Sequence, residues 1–433
     1  MNVGLIGIGT VGGGTYKVLT ENFQEILHKT GIEIKVAMVA DKDIDLAEKI
    51  VSSAIPIVGD AFELVESKEI DLVVELIGGT GIAKDLVKQA LLNGKHVVTA
   101  NKALIAMHGE ELFAVAEDNN VQLAYEAAVA GGIPIIKALR EGLAANKIEW
   151  IAGIVNGTTN YILTEMKENN LSFDVALKQA QELGFAEADP TFDIEVVDAA
   201  HKITIMASIA FGIPINFDAV FVEGISNLNQ KDITYAEELG YRIKLLAIAK
   251  SDQESVEIRV HPTLIPEARL VANVSGPMNA VLVKGNMVGP TLYYGAGAGA
   301  EPTASAVVAD IIDIARQSQL STKKLIPSLG FMPNKIKQKK LLAIEDVWSE
   351  FYLRLTMANK AGLLAKITNI FASHDISIDA MIHKEVQETN QDPDIFLVTS
   401  KVQESQINQV IKAIESLPEN KDKIIKLRIE ELK

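Results

Sequence analysis

The chain has 433 residues, 48% of them hydrophobic, and a formal net charge of −16. That length predicts roughly two to four domains with sizeable cores, and the acidity disfavours a nucleic acid or an anionic membrane as partner. The absence of cysteine excludes disulfides, thiolate metal sites and thiol nucleophiles.

Nothing in the sequence indicates secretion or insertion into a membrane. The first residues, MNVGLIGIG, read as a strand that leads into glycines and lack the features of a secretory signal. The longest uncharged apolar run, residues 203–217, has about 15 residues, whereas a membrane span needs about 20. We therefore expect a cytoplasmic protein that binds small molecules.

Residues 1–125 show the rhythm of a doubly wound α/β sheet. Four apolar segments, VGLIGIG, IKVAMVAD, DLVVELIGG and KHVVTANK, are predicted to be buried parallel strands. Amphipathic segments such as AKDLVKQALLNG lie between them and are predicted to be helices. This region is therefore expected to be a Rossmann-like nucleotide-binding domain.

The first predicted strand runs into a turn that matches the pattern G-x-G-x-x-G. The residues of this turn expected at the cofactor are Gly7, Gly9, Thr10, Val11 and Gly12. Glycines allow a tight turn, and the N-terminus of the next helix offers N–H groups to a pyrophosphate. The position directly after the first strand predicts that the turn binds NAD or NADP.

Two further positions follow strand ends in this region. Asp41 is placed to hold a ribose 2′-hydroxyl, which favours NAD, whereas the adjacent Lys42 could neutralise the 2′-phosphate of NADP. Lys102 follows the fourth strand at its carboxyl end, where such sheets place ligands. For all three residues, the alternative is a solvated charge in a loop.

The remaining chain divides into three parts. Residues 126–320 mix glycine-rich turns, helices and antiparallel strands, which predicts an α+β substrate-binding domain. Its last segment is a second glycine loop followed by a helix at about 301–317, which is expected to return to the first sheet. Residues 321–350 lack periodicity and are predicted to be a linker, and residues 351–433 are predicted to form a compact βαββαβ unit.

Acidic residues are concentrated in GFAEADPTFDIEVVDAAHK, residues 184–202. The stretch from Asp193 onward is predicted to be one helix with an apolar second half, and Asp198 and Lys202 share a face of it. The ordinary alternative is a surface ion pair. Glu187 and Asp193 precede that pair and suit an ammonium ligand, although acids also favour the start of a helix. Lys202 is a candidate proton donor.

Six motifs occur together in the order typical of a known family. They are GxGxxG from Gly7, TANKALIA, EAAVAGGIPII, NGTTNYIL, GFAEADPTFDIEVVDAAHK and GAGAGAEPTASAVV. The chain resembles homoserine dehydrogenase over essentially its whole length, and the final unit resembles an ACT domain. The resemblance implies reversible, NAD(P)-dependent conversion of L-aspartate 4-semialdehyde to L-homoserine, a step toward threonine, methionine and isoleucine. It also implies a homodimer or a larger assembly such as a tetramer.

The resemblance assigns roles to individual residues. Lys202 would donate or accept the proton of the substrate oxygen, and Lys102 would lie near the nicotinamide and the substrate. The substrate-binding residues would be Glu187, Asp193, Asp198 and Thr158. The second domain would complete the cofactor pocket with Gly184, Gly297 and Gly299. Hydride addition to an aldehyde builds negative charge on oxygen, which a positioned ammonium group can neutralise.

The segment EAAVAGGIPII resembles the monovalent cation site of the family. Sodium would be surrounded, largely through backbone oxygens, by Glu126, Val129, Gly131 and Ile133. The sequence alone predicts only a turn there. Two positions depart from the family pattern: Phe185 stands where tyrosine is common, and Ala40 stands where many members have an arginine that can meet a 2′-phosphate.

Residues 359–364 resemble the ACT loop between the first strand and the first helix. The regulatory residues would be Asn359, Gly362 and Leu363, and the glycine would let a small amino acid approach backbone N–H groups between two such domains. This predicts L-threonine as a feedback inhibitor. Because Asn359 replaces the usual aspartate, an ACT unit that serves only for assembly is the alternative.

Other functions explain less of the sequence. A phosphoglycerate-type dehydrogenase would carry its glycine fingerprint in the middle of the chain, and aspartate semialdehyde dehydrogenase would need a cysteine. A non-catalytic amino-acid sensor built on a dehydrogenase scaffold is the alternative from another class. The presence of Lys102, Glu187, Asp198 and Lys202 argues against the sensor.

Overall fold

The computed structural model describes residues 1–252, 254–319, 326–358, 360–383 and 393–433. No helix within these ranges is both long and apolar enough to cross a membrane. Asn359, predicted to begin the regulatory loop, lies outside the described residues.

The first region is a parallel sheet covered by helices. Its strands are β1 (Asn2–Ile6), β2 (Lys35–Ala40), β3 (Ile57–Val58), β4 (Leu72–Glu75), β5 (His96–Thr99) and β6 (Leu123–Ala124). The strands pair in parallel in the order β3-β2-β1-β4-β5-β6. Its helices are α1 (Thr10–Glu21), α2 (Phe23–Thr30), α3 (Ile44–Ile50), α4 (Ala61–Glu66), α5 (Ile82–Leu92) and α6 (Lys102–Asp118). The predicted Rossmann-like fold is confirmed.

Strand β4 shows why these strands read as uninterrupted apolar runs. Leu72 and Val74 pack into the core on one face of the sheet, whereas Val73 packs into the core on the other face. Successive side chains of a strand point to opposite faces, so a strand covered on both faces must be apolar throughout. Because these strands pair in parallel, the carboxyl ends of β1, β4 and β5 lie along one edge of the sheet.

The second region is built on an antiparallel sheet. Its elements are α7 (Ile135–Lys137), β7 (Ile148–Ile154), α8 (Gly157–Glu168), α9 (Phe173–Glu182), α10 (Thr191–Ile194), α11 (Val197–Phe211), β8 (Phe221–Val222), α12 (Gln230–Glu238), β9 (Tyr241–Ser251), β10 (Ser255–Pro266), β11 (Met278–Gly285), β12 (Gly289–Ala296) and α13 (Ala300–Ser318). Strands β12, β11, β7, β9 and β10 are neighbours in that order. Helix α13 returns to the first region, where Val307 and Ile311 join the core beside β1.

The acid-rich stretch forms two helices, so the prediction of one continuous helix from Asp193 was wrong. Helix α10 ends at Ile194, and α11 begins at Val197. Between them Val196 has φ 62, a left-handed conformation that is costly for a β-branched residue. Helix α11 ends as predicted, because Gly212 takes the left-handed conformation that terminates helices.

The third region contains the βαββαβ unit. Its elements, after a short strand β13 (Lys340–Leu341), are β14 (Trp348–Thr356), α14 (Leu363–Ser373), β15 (Ile378–His383), β16 (Asp394–Thr399), β17 (Val402–Gln403), α15 (Glu404–Glu415) and β18 (Ile425–Ile429). Strand β18 pairs with β14 on one side and with β10 on the other. The compact sequence pattern suggested a separate unit. Instead, the unit continues the sheet of the second region.

Candidate active site

The turn after β1 has the geometry of a phosphate-binding loop. Gly7 has φ 92, and a Cβ on Gly12 would lie 2.0 Å from the carbonyl oxygen of Gly7, so both positions require glycine. Gly9 stands at the N-cap of α1, so no side chain caps the helix. Nothing lies within 4 Å of where a Cβ on Gly9 would be. Thr10 and Val11 form the first turn of α1. The N-terminus of α1 is thus open to an anion such as a pyrophosphate.

Asp41 lies at the end of β2, beside this loop. Its Oδ2 accepts the N–H group of Ile8 at 2.7 Å, and its Oδ1 accepts the N–H group of Asp43 at 2.9 Å. These two bonds fix the carboxylate next to the glycine turn. The adjacent Lys42 is exposed.

The centre of the candidate site is Asp198, in the first turn of α11. Its Oδ2 lies 2.7 Å from Nζ of Lys202, and its Oδ1 lies 2.8 Å from Nζ of Lys102 at the start of α6. The side chain of Asp198 is only 6% exposed. One buried carboxylate therefore joins a lysine of the first region to a lysine of the second.

Asp198, Lys102 and Lys202 shift one another's pKa values. Burial and the charge of Lys102 lower the pKa of Lys202, although Asp198 acts in the opposite direction. Burial also opposes the charged form of Lys102, but Asp198, together with Asp193 and Glu187, outweighs burial and raises the pKa of Lys102. For Asp198, burial is outweighed by the two lysines, and its pKa lies well below the usual range. Asp198 is thus held as an anion.

Two groups that the sequence reasoning missed complete the cluster. The carbonyl oxygen of Val155 accepts a hydrogen bond from Nζ of Lys202 at 2.6 Å. Asn156 donates from Nδ2 to Asp193 at 2.8 Å and to Asp198 at 2.9 Å, while its Oδ1 caps α8. The asparagine ahead of Gly-Thr-Thr is a helix-capping signal that could have drawn attention to it.

The loop ahead of α10 carries two of the predicted residues, Gly184 and Glu187, and is contacted by a third, Thr158 of α8. Thr158 is buried, and its hydroxyl donates to the carbonyl oxygen of Phe185 at 2.6 Å. Gly184 has φ 76, which turns the chain after α9. Glu187 is exposed, but its charge contributes to raising the pKa of Lys102. Thr158 thus anchors the loop, whereas Glu187 faces the solvent near the lysines.

The glycines predicted at the far side of the cofactor pocket lie in tightly packed loops. A Cβ on Gly131 would come within 2.4 Å of the carbonyl oxygen of Gly297, and a Cβ on Gly297 would meet Asn279. Gly299 has φ 123 and precedes α13. The loops around Gly131 and Gly297 therefore contact each other backbone to backbone.

The residues predicted at the cation site lie in and beside the loop around Gly131. Glu126, Val129 and Ile133 are buried. The carboxylate of Glu126 accepts the N–H groups of Ile136 and Lys137, each at 2.8 Å. Burial raises the pKa of Glu126 to about 7. Its side chain thus serves as a cap for α7.

The start of α14 holds Gly362 and Leu363, the two described members of the three predicted regulatory residues. Gly362 has φ 82 and precedes the helix without a side-chain cap, and Leu363 is the first helical residue and is buried. This turn belongs to the third region and is not part of the lysine cluster.

Comparison with known proteins covers almost the whole chain. Family models for the NAD binding domain of homoserine dehydrogenase, for homoserine dehydrogenase and for the ACT domain match residues 7–126, 134–312 and 351–419, respectively. A homoserine dehydrogenase from Neisseria gonorrhoeae is 53% identical over 432 residues, which are 100% of this chain and 99% of that protein.

Solved structures agree with the sequence comparison. A homoserine dehydrogenase from Thiobacillus denitrificans has a TM-score of 0.95 and 54% identity, over 100% of this chain and 99% of that one. A hyperthermophilic archaeal homoserine dehydrogenase in complex with NADPH has a TM-score of 0.62 and 27% identity, over 75% of this chain and 99% of that one. Nothing in these similarities supports a non-catalytic sensor. With a glycine-rich turn at the start of α1, a buried carboxylate paired with two lysines and relatives of this identity along its full length, the chain belongs to the homoserine dehydrogenase family of oxidoreductases.

Proposed function

We propose that this oxidoreductase interconverts L-aspartate 4-semialdehyde and L-homoserine with a nicotinamide cofactor. The observation that carries the proposal is the buried carboxylate of Asp198, which holds Lys102 and Lys202 together where the first two regions meet. Positioned ammonium groups beside carboxylates suit a substrate that has both a reducible carbonyl and an amino group.

Lys202 is the proposed proton carrier. Two of its three N–H groups are used by Val155 and Asp198 among the described partners, which leaves one for the substrate oxygen. Lys202 donates its proton as negative charge develops on the aldehyde oxygen, and in the reverse direction the neutral amine takes the hydroxyl proton. Burial lowers the pKa of Lys202 and so brings the neutral form closer to physiological pH. When bound, the cofactor supplies or accepts the hydride.

The substrate ammonium group is proposed to bind Glu187, Asp193 and Asp198. The charges of all three carboxylates act on Lys102, so they lie around one part of the site, and carboxylates attract an ammonium ligand. Thr158 supports this arrangement by anchoring the loop that leads to Glu187. Phe185 brings no hydroxyl group to that loop.

The proposed cofactor is NAD rather than NADP, although the archaeal relative was solved with NADPH. The carboxylate of Asp41, fixed by Ile8 and Asp43, is placed to accept a ribose 2′-hydroxyl and repels a 2′-phosphate. Ala40 offers no charge to balance that phosphate. We expect Asp41→Ser to raise kcat/KM for NADP relative to NAD at least about tenfold, or about 1.4 kcal/mol. An unchanged ratio would argue against this role of Asp41.

A sodium ion is proposed at the turn of Glu126, Val129, Gly131 and Ile133. Ala130 at φ 55 and Gly131 at φ 51 are successive left-handed residues, so the chain turns sharply at this point. The ligands would be largely backbone oxygens, which suit a hard cation. Activity that is equal in sodium buffer and in a buffer of bulky organic cations would refute the site.

The turn before α14 is proposed to bind L-threonine as an inhibitor. Its support is Gly362, which has a left-handed conformation at the start of α14 and open space within 4 Å of where a Cβ would lie. The chain is proposed to act in the cytoplasm as a homodimer or tetramer. Light scattering tests the assembly, and inhibition by L-threonine but not D-threonine tests the effector.

The test of the function is reduction of NAD and of NADP, measured separately, after addition of L-homoserine to the purified protein. We expect the cofactor to be reduced only when L-homoserine is present. Folded protein that shows no reduction with either cofactor, in sodium and potassium buffers alike, would refute the proposed function.

A further inference from the structure

Glu75, the last residue of β4, is a buried carboxylate outside the lysine cluster. Its Oε1 accepts the N–H groups of Ile77 and Gly78, each at 3.0 Å, and its Oε2 accepts the hydroxyl of Thr99 at 2.6 Å. Within the described ranges no lysine or arginine forms an ion pair with it. Burial raises the pKa of this carboxyl group, because its charged form is expensive there without a cation. A buried ionisable group of this kind is a candidate for a functional role.

Thr99 and Asn101 extend these bonds to the turn after β5. The hydroxyl oxygen of Thr99 accepts the N–H group of Asn101 at 3.0 Å, and Nδ2 of Asn101 donates to the carbonyl oxygen of Gly79 at 2.6 Å. The turns after β4 and β5 are therefore joined both by Glu75 and by Asn101. In addition, Oδ1 of Asn101 accepts the N–H group of Leu104 at 3.0 Å and caps α6.

The residue that follows Asn101 is Lys102. Its side chain is 33% exposed, and its Nζ reaches Asp198 at 2.8 Å. Because surrounding side chains enclose it only partly, the position of Lys102 depends on where its backbone lies. That backbone is the first turn of α6, which Asn101 caps and Thr99 holds toward Glu75.

We infer that Glu75 is a positioning residue that acts through Thr99 and Asn101 to hold Lys102 against Asp198. The inference rests on the proposed function, in which Lys102 lies beside the nicotinamide and the substrate. Even a buried ion pair can often be replaced by well-packed apolar residues without loss of stability, and Glu75 has no paired cation among the described residues. A carboxylate with three donors therefore fits the placement of a functional neighbour better than the stabilisation of the fold.

Thr99 offers a matched pair of variants. Thr99→Ser retains the hydroxyl and loses the methyl group, whereas Thr99→Val retains the shape and loses the hydroxyl. We expect Thr99→Val to lower kcat at least about tenfold with little change in the KM of the cofactor, and Thr99→Ser to stay within about threefold of the wild-type kcat. The control is Thr30→Val, which removes a buried hydroxyl that bonds Ile26 and Ile32 far from the cleft.

A second variant covers the case in which Thr99→Val does not fold. Asn101→Ser keeps a residue that can cap α6 but loses the bond to Gly79, and it should lower kcat in the same way. The double variant Lys102→Met, Thr99→Val should turn over no more slowly than Lys102→Met alone, because Thr99 acts through Lys102.

The outcomes separate failure of the proposed function from failure of the inference about Glu75. Wild-type protein that does not oxidise L-homoserine would refute the proposed function and the inference with it. Active wild-type protein together with an active Thr99→Val or Asn101→Ser variant would overturn the inference alone. The inference would also be overturned if Thr99→Ser lowered kcat and Thr99→Val did not. It would be overturned as well if the losses of kcat from Lys102→Met and Thr99→Val added in the double variant.

Discussion

At the scale of single residues, the site depends on Asp198. The four-residue spacing of Asp198 and Lys202 predicted that they share a helix face, and their side chains do form an ion pair. The sequence could not predict that Lys102 and Asn156 also reach Asp198, because these are tertiary contacts between distant segments. The surface ion pair weighed as the alternative is wrong, since Asp198 and Lys202 are both buried.

Asp198→Asn should shift the pH dependence of L-homoserine oxidation. Oxidation requires neutral Lys202, so its rate rises as the pH passes through the pKa of Lys202. The charge of Asp198 raises that pKa, against the lowering effect of burial and of Lys102. Removing the charge should lower the pKa further, so the rising limb of the kcat profile should move to lower pH.

The control for this shift is Asp189→Asn. Asp189 is an exposed loop acid that bonds only to Thr191 among the described residues, so the limb should stay in place. A limb that stays in place or moves to higher pH in Asp198→Asn would contradict the assigned coupling between Asp198 and Lys202.

At the scale of secondary-structure elements, strands and helix ends were predicted better than the break in the acid-rich stretch. The apolar runs of β1, β2, β4 and β5 are explicit in the sequence, and so is the glycine that ends α11. Nothing in IEVVD indicates a left-handed Val196, because helix propensity there is unexceptional. The conformation is imposed by packing, since Val196 is fully buried, and it sets the start of the helix that carries Asp198 and Lys202.

Alanine substitutions at two adjacent glycines of α1, Gly13 and Gly14, should change the stability of the protein in opposite directions. A Cβ on Gly14 would lie 2.6 Å from the backbone oxygen of Ala300 in α13, whereas a Cβ on Gly13 would have its nearest neighbour at an ordinary 3.6 Å. We expect Gly14→Ala to destabilise the protein by about 1–3 kcal/mol through overpacking. Gly13→Ala should stabilise it by about 0.5–1 kcal/mol through helix propensity.

Thermal midpoints of the two variants, measured side by side, check this prediction. Equal midpoints, or a Gly14→Ala variant more stable than the wild type, would show that α1 and α13 are not packed as closely as described.

At the scale of the whole molecule, the third region is joined to the second by a sheet and by buried charges. Strand β18 pairs with β10, and Arg354 of β14 forms two bonds to Asp232 of α12, at 2.7 and 3.2 Å. Asp232 is fully buried. The sequence predicted the elements of the third region but not this junction, because strand pairing between distant segments leaves no local pattern.

Asp232→Asn should weaken this junction. The variant leaves the charge of Arg354 buried without its carboxylate, and loss of one partner of a buried pair costs about 3–5 kcal/mol. The matched control is Glu25→Gln, which breaks the exposed pair with Lys29 and should cost less than about 1 kcal/mol. Urea unfolding measures both, and equal midpoints for the two variants would contradict the importance of the buried pair.

The most direct test of the central claim, that Lys202 carries the proton, is kcat for L-homoserine oxidation by Lys202→Met. We expect kcat to fall at least about 100-fold, while the variant still folds and still binds the cofactor. A folded Lys202→Met variant that turns over at the wild-type rate would contradict the role of Lys202.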